Sequence, residues 1–250
     1  MSIRNLVIGP STGWLYAKEI FSLTQQAAFL KTTGANAVEV CLARWESEDK
    51  RMLSLKADRA FGAKTFIHRS LHLPDVCGLK PELQIATAKK AVALCGATTA
   101  VTHPLKVGGE YPVESYERMI AAGIPLAIEN MDRRKDSGFN LAELEVLVAS
   151  TRCKFVLDVQ HAYEHDLGMK YATDLLESLK SHLTHLHVSG ETKDNIHSLV
   201  HKATNTKTIV EFVGRVLAAK NVPLILEGEY TTFEEIKREI EFLTGELTSH

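Results

Sequence analysis

The feature that most constrains this fold is an alternation, repeated eight times along the chain, of short apolar segments with longer amphipathic ones. The apolar segments predict strands, which are IRNLVIG (3–9), NAVEVCL (36–42), KTFIHRSLHL (64–73), TTAVTH (98–103), PLAIENM (125–131), KFVLDV (154–159), HLTHLHVS (182–189) and VPLILEG (222–228). The helical segments begin near Leu15, Ser47, Lys80, Pro112, Asn140, Glu164, Asn205 and Thr232. Nearly continuous apolar strands separated by helices are typical of a parallel sheet covered on both faces.

Glycines mark the ends of several predicted helices. Gly34, Gly62, Gly96 and Gly123 each lie between a helical segment and the next strand, where a left-handed residue ends a helix well. Eight strand–helix units in 250 residues match an α/β (β/α)8 TIM barrel, so we predict one domain over residues 1–250. A doubly wound open sheet is the alternative, although GPSTGW after the first strand lacks both glycine-rich phosphate-binding patterns.

Composition limits the classes of partner. The 29 basic and 31 acidic residues give a net charge of −2, which lacks the basic excess typical of sequence-independent nucleic-acid binding. No uncharged stretch approaches the roughly 20 apolar residues that span a bilayer, and the first residues lack a secretory leader's apolar region. We therefore predict a cytoplasmic protein without a membrane partner, and the oligomeric state, including a homo-oligomer, stays open. Cys41, Cys77, Cys95 and Cys153 form no CxxC pair, which favours buried thiols.

Polar side chains lie at or near the carboxyl ends of seven predicted strands, where a barrel of this kind builds its active site. They are Glu39, His68, His72, His103, Glu129, Asp158, His161, His185, His187, Glu227 and Glu229. Buried carboxylates are costly unless a cation or partner compensates them. A ring of carboxylates and imidazoles that meets at one mouth therefore predicts a bound divalent metal.

The strongest ligand candidates occupy the same relative place on the fifth to eighth strands. They are Glu129, Asp158, His187 and Glu227. Imidazole with carboxylate suits zinc, manganese, iron or cobalt, and the oxygen donors also allow magnesium, so the metal's identity stays open.

Strand parity orders the remaining histidines, because residues two or four apart on a strand face the same way. His187 is preferred over His185, and His72 over His68, since the second of each pair would lie one layer deeper. Glu229, beyond Gly228, is interpreted as a rim residue. For Glu39, metal binding and a salt bridge with Lys64 are both open.

These motifs, from HLP, THP and IENM to LDVQH, HLHVSGE and LEGEY, resemble the xylose-isomerase-like barrels. That superfamily includes sugar and sugar-phosphate isomerases and epimerases, and the AP endonucleases of the endonuclease IV type. The resemblance covers nearly the whole chain and implies a TIM barrel with a Glu, Asp, His, Glu metal core. It does not separate the activities, because the members share that core.

The ketose 3-epimerase branch is one reading of the resemblance. It implies that Glu129 and Glu227 move a proton through an enediolate of a small sugar or sugar phosphate, with His161 as a catalytic residue that contacts the substrate. A further glutamate of that branch falls on Lys135, which departs from the pattern. Lys193, after HLHVSGE, would orient a hydroxyl group or neutralise an oxyanion, or be a solvated loop residue.

The endonuclease IV branch is the alternative reading, with multi-metal hydrolysis of a phosphodiester and a nucleic acid as partner. His72, His103 and His161 match its additional metal ligands. Asp194 and His197 match its last Asp-His pair only loosely, because the spacing differs by one residue.

Two further interpretations stay open. Arg133 and Arg134, with Lys135, suit phosphate recognition, but Asp132 and Asp136 flank them and also suit a solvated, charge-balanced loop. A barrel that binds a metal or ligand without catalysis is the third functional class, because a fold does not fix a function.

Overall fold

The computed structural model describes residues 6–16, 23–45, 66–76 and 80–249. Eight parallel strands form one sheet in the order β1-β8-β7-β6-β5-β4-β3-β2. Their bounds are β1 Ile8–Pro10, β2 Ala37–Cys41, β3 His68–His72, β4 Thr99–Thr102, β5 Leu126–Glu129, β6 Lys154–Asp158, β7 Leu183–Val188 and β8 Leu224–Leu226. Sequential neighbours pair from β2 to β8, and β1 pairs with β8, which confirms the (β/α)8 barrel and excludes the doubly wound sheet.

The described helices pack around this sheet. In chain order they are α1 Leu23–Lys31, α2 Pro81–Cys95, α3 Val113–Ala121, α4 Leu141–Thr151, α5 Val159–His165, α6 Lys170–Leu179, α7 Thr206–Ala219 and α8 Phe233–Thr248. The side chains of Asn140 and Thr232 accept hydrogen bonds from the backbone three residues on, so α4 and α8 begin where the sequence places them. Apolar side chains of the strands and helices form one extended buried core between the two layers.

The barrel closes at a seam between β1 and β2. The backbone N–H of Asn36 donates to the carbonyl of Ile8, and a single bridge joins Ser11 to Glu39. Gly9 makes this approach possible, because a Cβ atom there would lie 1.8 Å from the carbonyl oxygen of Ala37. At Gly9 the backbones of β1 and β2 are therefore in direct contact.

Several boundaries differ from the sequence prediction. The helix expected near Glu164 begins five residues earlier, at Val159, and a second helix, α6, follows it. Near Leu15 a short 3-10 helix spans Gly13–Tyr16, and α1 begins at Leu23. The helix start near Ser47, together with Gly62, Lys64 and Cys77, lies outside the described residues.

The prediction of helix-ending glycines holds at three described positions, and the prediction of buried thiols holds for two of the three described cysteines. Gly34, Gly96 and Gly123 all have positive φ angles, as helix-ending glycines should. Cys95 and Cys153 are buried thiols, and Cys41 is partly exposed. Within the described part of the chain, none of the helices has the length and apolar character required to cross a membrane.

Candidate metal centre

Four side chains meet at the carboxyl end of the barrel because their strands end at the same level. Glu129 and Asp158 are the last residues of β5 and β6, and His187 is the register partner of Asp158 on β7. Glu227 directly follows β8. One ligand atom from each of these four residues lies within 4.8 Å of the others. The sequence predicted this set, and the structure brings it together.

The hydrogen-bond state of these residues tests whether they fit a cation. Both carboxylate oxygens of Glu129, Oδ2 of Asp158 and Nδ1 of His187 are buried without a hydrogen-bond partner. Glu129 Oε2 lies only 3.2 Å from His187 Nδ1. Buried carboxylates without partners are costly, and a divalent cation bound by oxygen and imidazole would satisfy all of them. The residues therefore fit a metal ion.

Three further histidines surround Glu129 as the sequence suggested. His161 Nδ1 lies 3.3 Å and His72 Nε2 3.4 Å from its carboxylate, and His103 Nε2 lies 4.0 Å away. His72, His103 and Glu129 form a second group with metal-ligand spacing. The centre therefore offers donors for more than one ion.

The buried carboxylates and the histidines beside them shift one another's pKa values. Burial opposes ionisation of Glu129, yet His187, His161 and His72 hold the pKa of its carboxyl well below the ordinary value. Burial would lower the pKa of His161, but Asp158 and Glu129 raise it to about 10. Binding of a cation would displace protons from the ligating histidines, because imidazole must be neutral to act as a ligand.

The pKa of Glu227 is shifted in the direction opposite to that of Glu129. Burial raises the pKa of the Glu227 carboxyl to about 7, and His187 only partly offsets that effect. Its side chain is 17% exposed, whereas Glu129 is 1% exposed. Both glutamates approach His187 Nδ1, at 3.2 Å for Glu129 and 3.4 Å for Glu227. They therefore differ in environment while facing the same point.

A deeper layer lies beneath these ligands. Glu39 and His185 are completely buried, and Glu39 Oε2 lies 3.3 Å from His187 Nε2 and 3.4 Å from His185 Nε2. His68 packs against His185 with 5.1 Å between ring centroids, and burial lowers the pKa of His68 to about 3. The lower positions expected for His68 and His185 are thus observed, and Glu39 contacts these histidines.

Asp158 has two roles in the local structure. Its side chain accepts a hydrogen bond from the backbone N–H of His161 at 2.6 Å, which caps α5. The buried Asn130 side chain pairs with the backbone of Asp158 in both directions. These bonds fix the carboxylate at the barrel mouth and carry His161 towards Glu129.

The loop cations are distributed unequally. Arg133, Arg134, Lys135 and Lys193 are all exposed. Of these four, Arg134 and Lys135 line a cavity that also contains Glu129 and His161. Arg134 donates from Nε to Asp132 at 2.7 Å and lies near Glu164. Asp132 is buried, so the interpretation of this loop as wholly solvated does not hold for that residue.

The rim residues follow the prediction in part. Glu229 is exposed and accepts a hydrogen bond from Asn195, as expected of a rim position. His197 faces the centre, with 5.4 Å between its ring centroid and that of His161, while Asp194 is exposed. Of the two residues that matched the Asp-His pair loosely, His197 therefore lies at the site and Asp194 is exposed to solvent.

Sequence reasoning missed the contacts that two carboxylates make with the site histidines. Asp75 Oδ1 lies 2.7 Å from His103 Nδ1, and Asp132 Oδ2 lies 4.0 Å from His161 Nε2. Each follows a strand by three residues, so the signal was an acidic residue just beyond the strand-end motif.

Two cavities, of about 400 and 420 Å³, open at the mouth of the barrel. Glu227 and His197 line both of them. Trp14 and Cys41 line the smaller cavity, and His161 and Arg134 line the larger one. Each volume falls in the range typical of sites for small molecules.

No protein family model and no curated protein sequence matches this chain. Among solved structures, it is similar to endonuclease IV from Thermus thermophilus, with 18% identity, a TM-score of 0.71 and coverage of 97% of this chain and 99% of the other. A xylose isomerase domain containing protein from Salmonella typhimurium has 17% identity, a TM-score of 0.72 and 99% coverage of both chains. A D-tagatose 3-epimerase-like protein has 15% identity, a TM-score of 0.67 and 97% coverage of both. At these identities the similarity shows the fold alone, and it is the fold that the strand-end motifs implied.

Proposed function

We propose that the protein is a divalent-metal-dependent isomerase or epimerase of a small sugar or sugar phosphate, acting by proton transfer through an enediolate. The observation that carries this proposal is the pair of glutamates, Glu129 and Glu227, that both approach His187 Nδ1 beside cavities of small-molecule size. Two carboxylates close to one binding point suit a reaction that removes and returns a proton.

The roles of the residues follow from their positions. Glu129, Asp158, His187 and Glu227 would hold the cation, which would supply positive charge to polarise adjacent substrate oxygens and stabilise the enediolate. One glutamate would take the proton from the carbon next to the carbonyl, and the other would return a proton on the opposite face. His161 would donate a hydrogen bond to a substrate hydroxyl group.

The basic side chains that line the larger cavity would bind the end of the substrate that lies away from the metal. Lys135 and Arg134 line that cavity, and Asp132 already engages one side of the Arg134 guanidinium. A phosphate or hydroxyl group would contact these side chains. Arg133 and Lys193 would contribute only by approaching from the solvent side.

AP endonuclease activity is the second candidate, and one observation favours it. His72, His103 and His161 all approach the Glu129 carboxylate, so the centre has donors for two or three ions. Clusters of several metals are typical of phosphodiester cleavage. The net charge of −2 favours a small substrate over a nucleic-acid duplex.

Solvent deuterium tests the proton-transfer chemistry directly. The protein would be incubated in D2O with ketopentoses, ketohexoses and their phosphates, in the presence of Mn²⁺, Mg²⁺ or Co²⁺. We expect NMR to show deuterium at the carbon next to the carbonyl of at least one sugar. Cleavage of abasic-site DNA with no deuterium in any sugar would contradict the isomerase assignment and favour the nuclease.

Substitution of His72 separates the two candidates by metal content. In a one-metal isomerase His72→Ala should leave about one metal per chain, because His72 is outside the four-residue ligand set. His182→Ala is the matched control, since His182 precedes β7 at the opposite end of the barrel. Elemental analysis that shows two or three ions in the wild type, and one fewer in His72→Ala alone, would refute the isomerase assignment.

A further inference from the structure

Three buried atoms form a nearly equilateral triangle below the ligand layer. His185 Nε2 and His187 Nε2 are 3.3 Å apart, and Glu39 Oε2 lies 3.3 Å from the second and 3.4 Å from the first. All three residues are 0% exposed, so no solvent molecule competes for these atoms from outside. The donor and acceptor roles of these three atoms must therefore be consistent with one another.

Thr184 determines which nitrogen of His185 carries the proton. Its single hydroxyl proton is donated to the carbonyl oxygen of Phe155 at 3.1 Å. The same hydroxyl oxygen lies 3.0 Å from His185 Nδ1, so it must accept a hydrogen bond from that nitrogen. In the neutral ring, His185 Nε2 then has only a lone pair to offer to the triangle.

The triangle therefore contains two acceptors and needs one donor. The Glu39 carboxylate and His185 Nε2 both present lone pairs, and at 3.4 Å they would repel each other without an intervening positive group. His187 Nε2–H is within reach of both acceptors. A proton on this nitrogen leaves Nδ1 as the lone pair of the neutral ring, facing Glu129 and Glu227.

We propose that Glu39 and His185 are positioning residues that hold His187 with Nε2–H directed towards them and the Nδ1 lone pair directed towards the metal centre. This inference rests on the proposed function only in requiring a metal there. Carboxylates that accept from the far nitrogen of a metal-ligating histidine fix its tautomer and orientation, and their loss typically weakens metal binding about 10- to 100-fold.

Zinc affinity gives the first test. Glu39→Gln keeps the size of the side chain but removes its charge and presents an amide that can donate. We expect zinc binding, measured by competition with a chromophoric chelator, to weaken by about 10- to 100-fold. Val213→Ala, in the buried face of α7, controls for general loss of stability. It should leave zinc affinity unchanged, and an equal loss in both variants would overturn the proposal.

The tautomer gives a second test that does not depend on any variant of Glu39 folding. In zinc-loaded wild-type protein with ¹⁵N-labelled histidine rings, long-range ¹H–¹⁵N NMR should show His187 protonated at Nε2 and zinc-bound at Nδ1. His185 should be protonated at Nδ1. The signal that disappears in His187→Gln identifies the ring. Ligation of zinc through His187 Nε2 would overturn the proposal.

The remaining outcomes are also decisive. Loss of one whole zinc equivalent in Glu39→Gln, with the affinity for the remaining zinc unchanged, would mean that the triangle holds a cation and would overturn the positioning role. A wild-type protein that binds no zinc overturns it as well. Ligation through Nδ1 together with weaker binding in Glu39→Gln supports it even if no sugar is converted, so failure of the proposed function is distinguishable.

Discussion

Glu129→Gln and Glu227→Gln are each expected to lower ketose turnover on the order of 10³-fold, as loss of a positioned acid or base typically does. Glutamine keeps the size and shape of each side chain but cannot accept the substrate proton. Glu129→Gln should also weaken metal binding, because both of its oxygens are buried without partners. Turnover, metal content and circular dichroism measured on the same samples would separate these effects.

The matched control is Glu117→Gln, an exposed glutamate on α3. It should retain wild-type turnover, since it is exposed on a helix and lines neither cavity at the barrel mouth. Glu129→Gln and Glu227→Gln should retain the far-UV spectrum of the wild type. Turnover near the wild-type rate in either variant, with metal bound, would refute the assignment of that glutamate to proton transfer.

Gly9→Ala should lower the free energy of unfolding by about 3 kcal/mol or more, as expected when a side chain is forced against packed backbone. The added Cβ would lie 1.8 Å from the carbonyl oxygen of Ala37, so β1 and β2 would have to separate. Neither partner can rotate away, because both belong to strands of the barrel. Urea unfolding followed by fluorescence would measure the loss.

Gly13→Ala provides the comparison, four residues further along the chain. Its added Cβ would meet its nearest neighbour, Cys41, at 3.8 Å, which is an ordinary contact. This variant should change stability by no more than about 0.5 kcal/mol. If the two variants have the same free energy of unfolding, the close approach of β1 and β2 at the seam is refuted.

The sequence specified the main parts of the site because strand periodicity and barrel geometry act together. Glu129, Asp158 and His187 lie at the ends of apolar strands, and parallel strands carry their ends to one mouth. The deeper level of His185 relative to His187 follows from the two-residue repeat of a strand. Such inferences need no knowledge of the loops.

The parts that could not be predicted depend on short or irregular segments. Helix α5 spans only Val159–His165, which is too short to show a clear 3.6-residue period, so its start was placed late. The burial of Asp132 and its bond to Arg134 arise in a loop, where composition alone suggested solvation. The partners of Glu39 lie on β7, far away in sequence, and only the closed barrel brings them together.

Asp158 both caps α5 and belongs to the candidate metal centre. The backbone amide of His161, which Asp158 binds, should therefore report whether metal is bound. Asp158 Oδ1 caps α5 through the N–H of His161, while Asp158 Oδ2 is buried without a partner. A cation bound at Oδ2 would fix the carboxylate that also orders the helix, so occupancy and local opening are thermodynamically linked. Hydrogen–deuterium exchange at this amide should therefore slow when metal is added and accelerate on chelation, without any label attached to the protein.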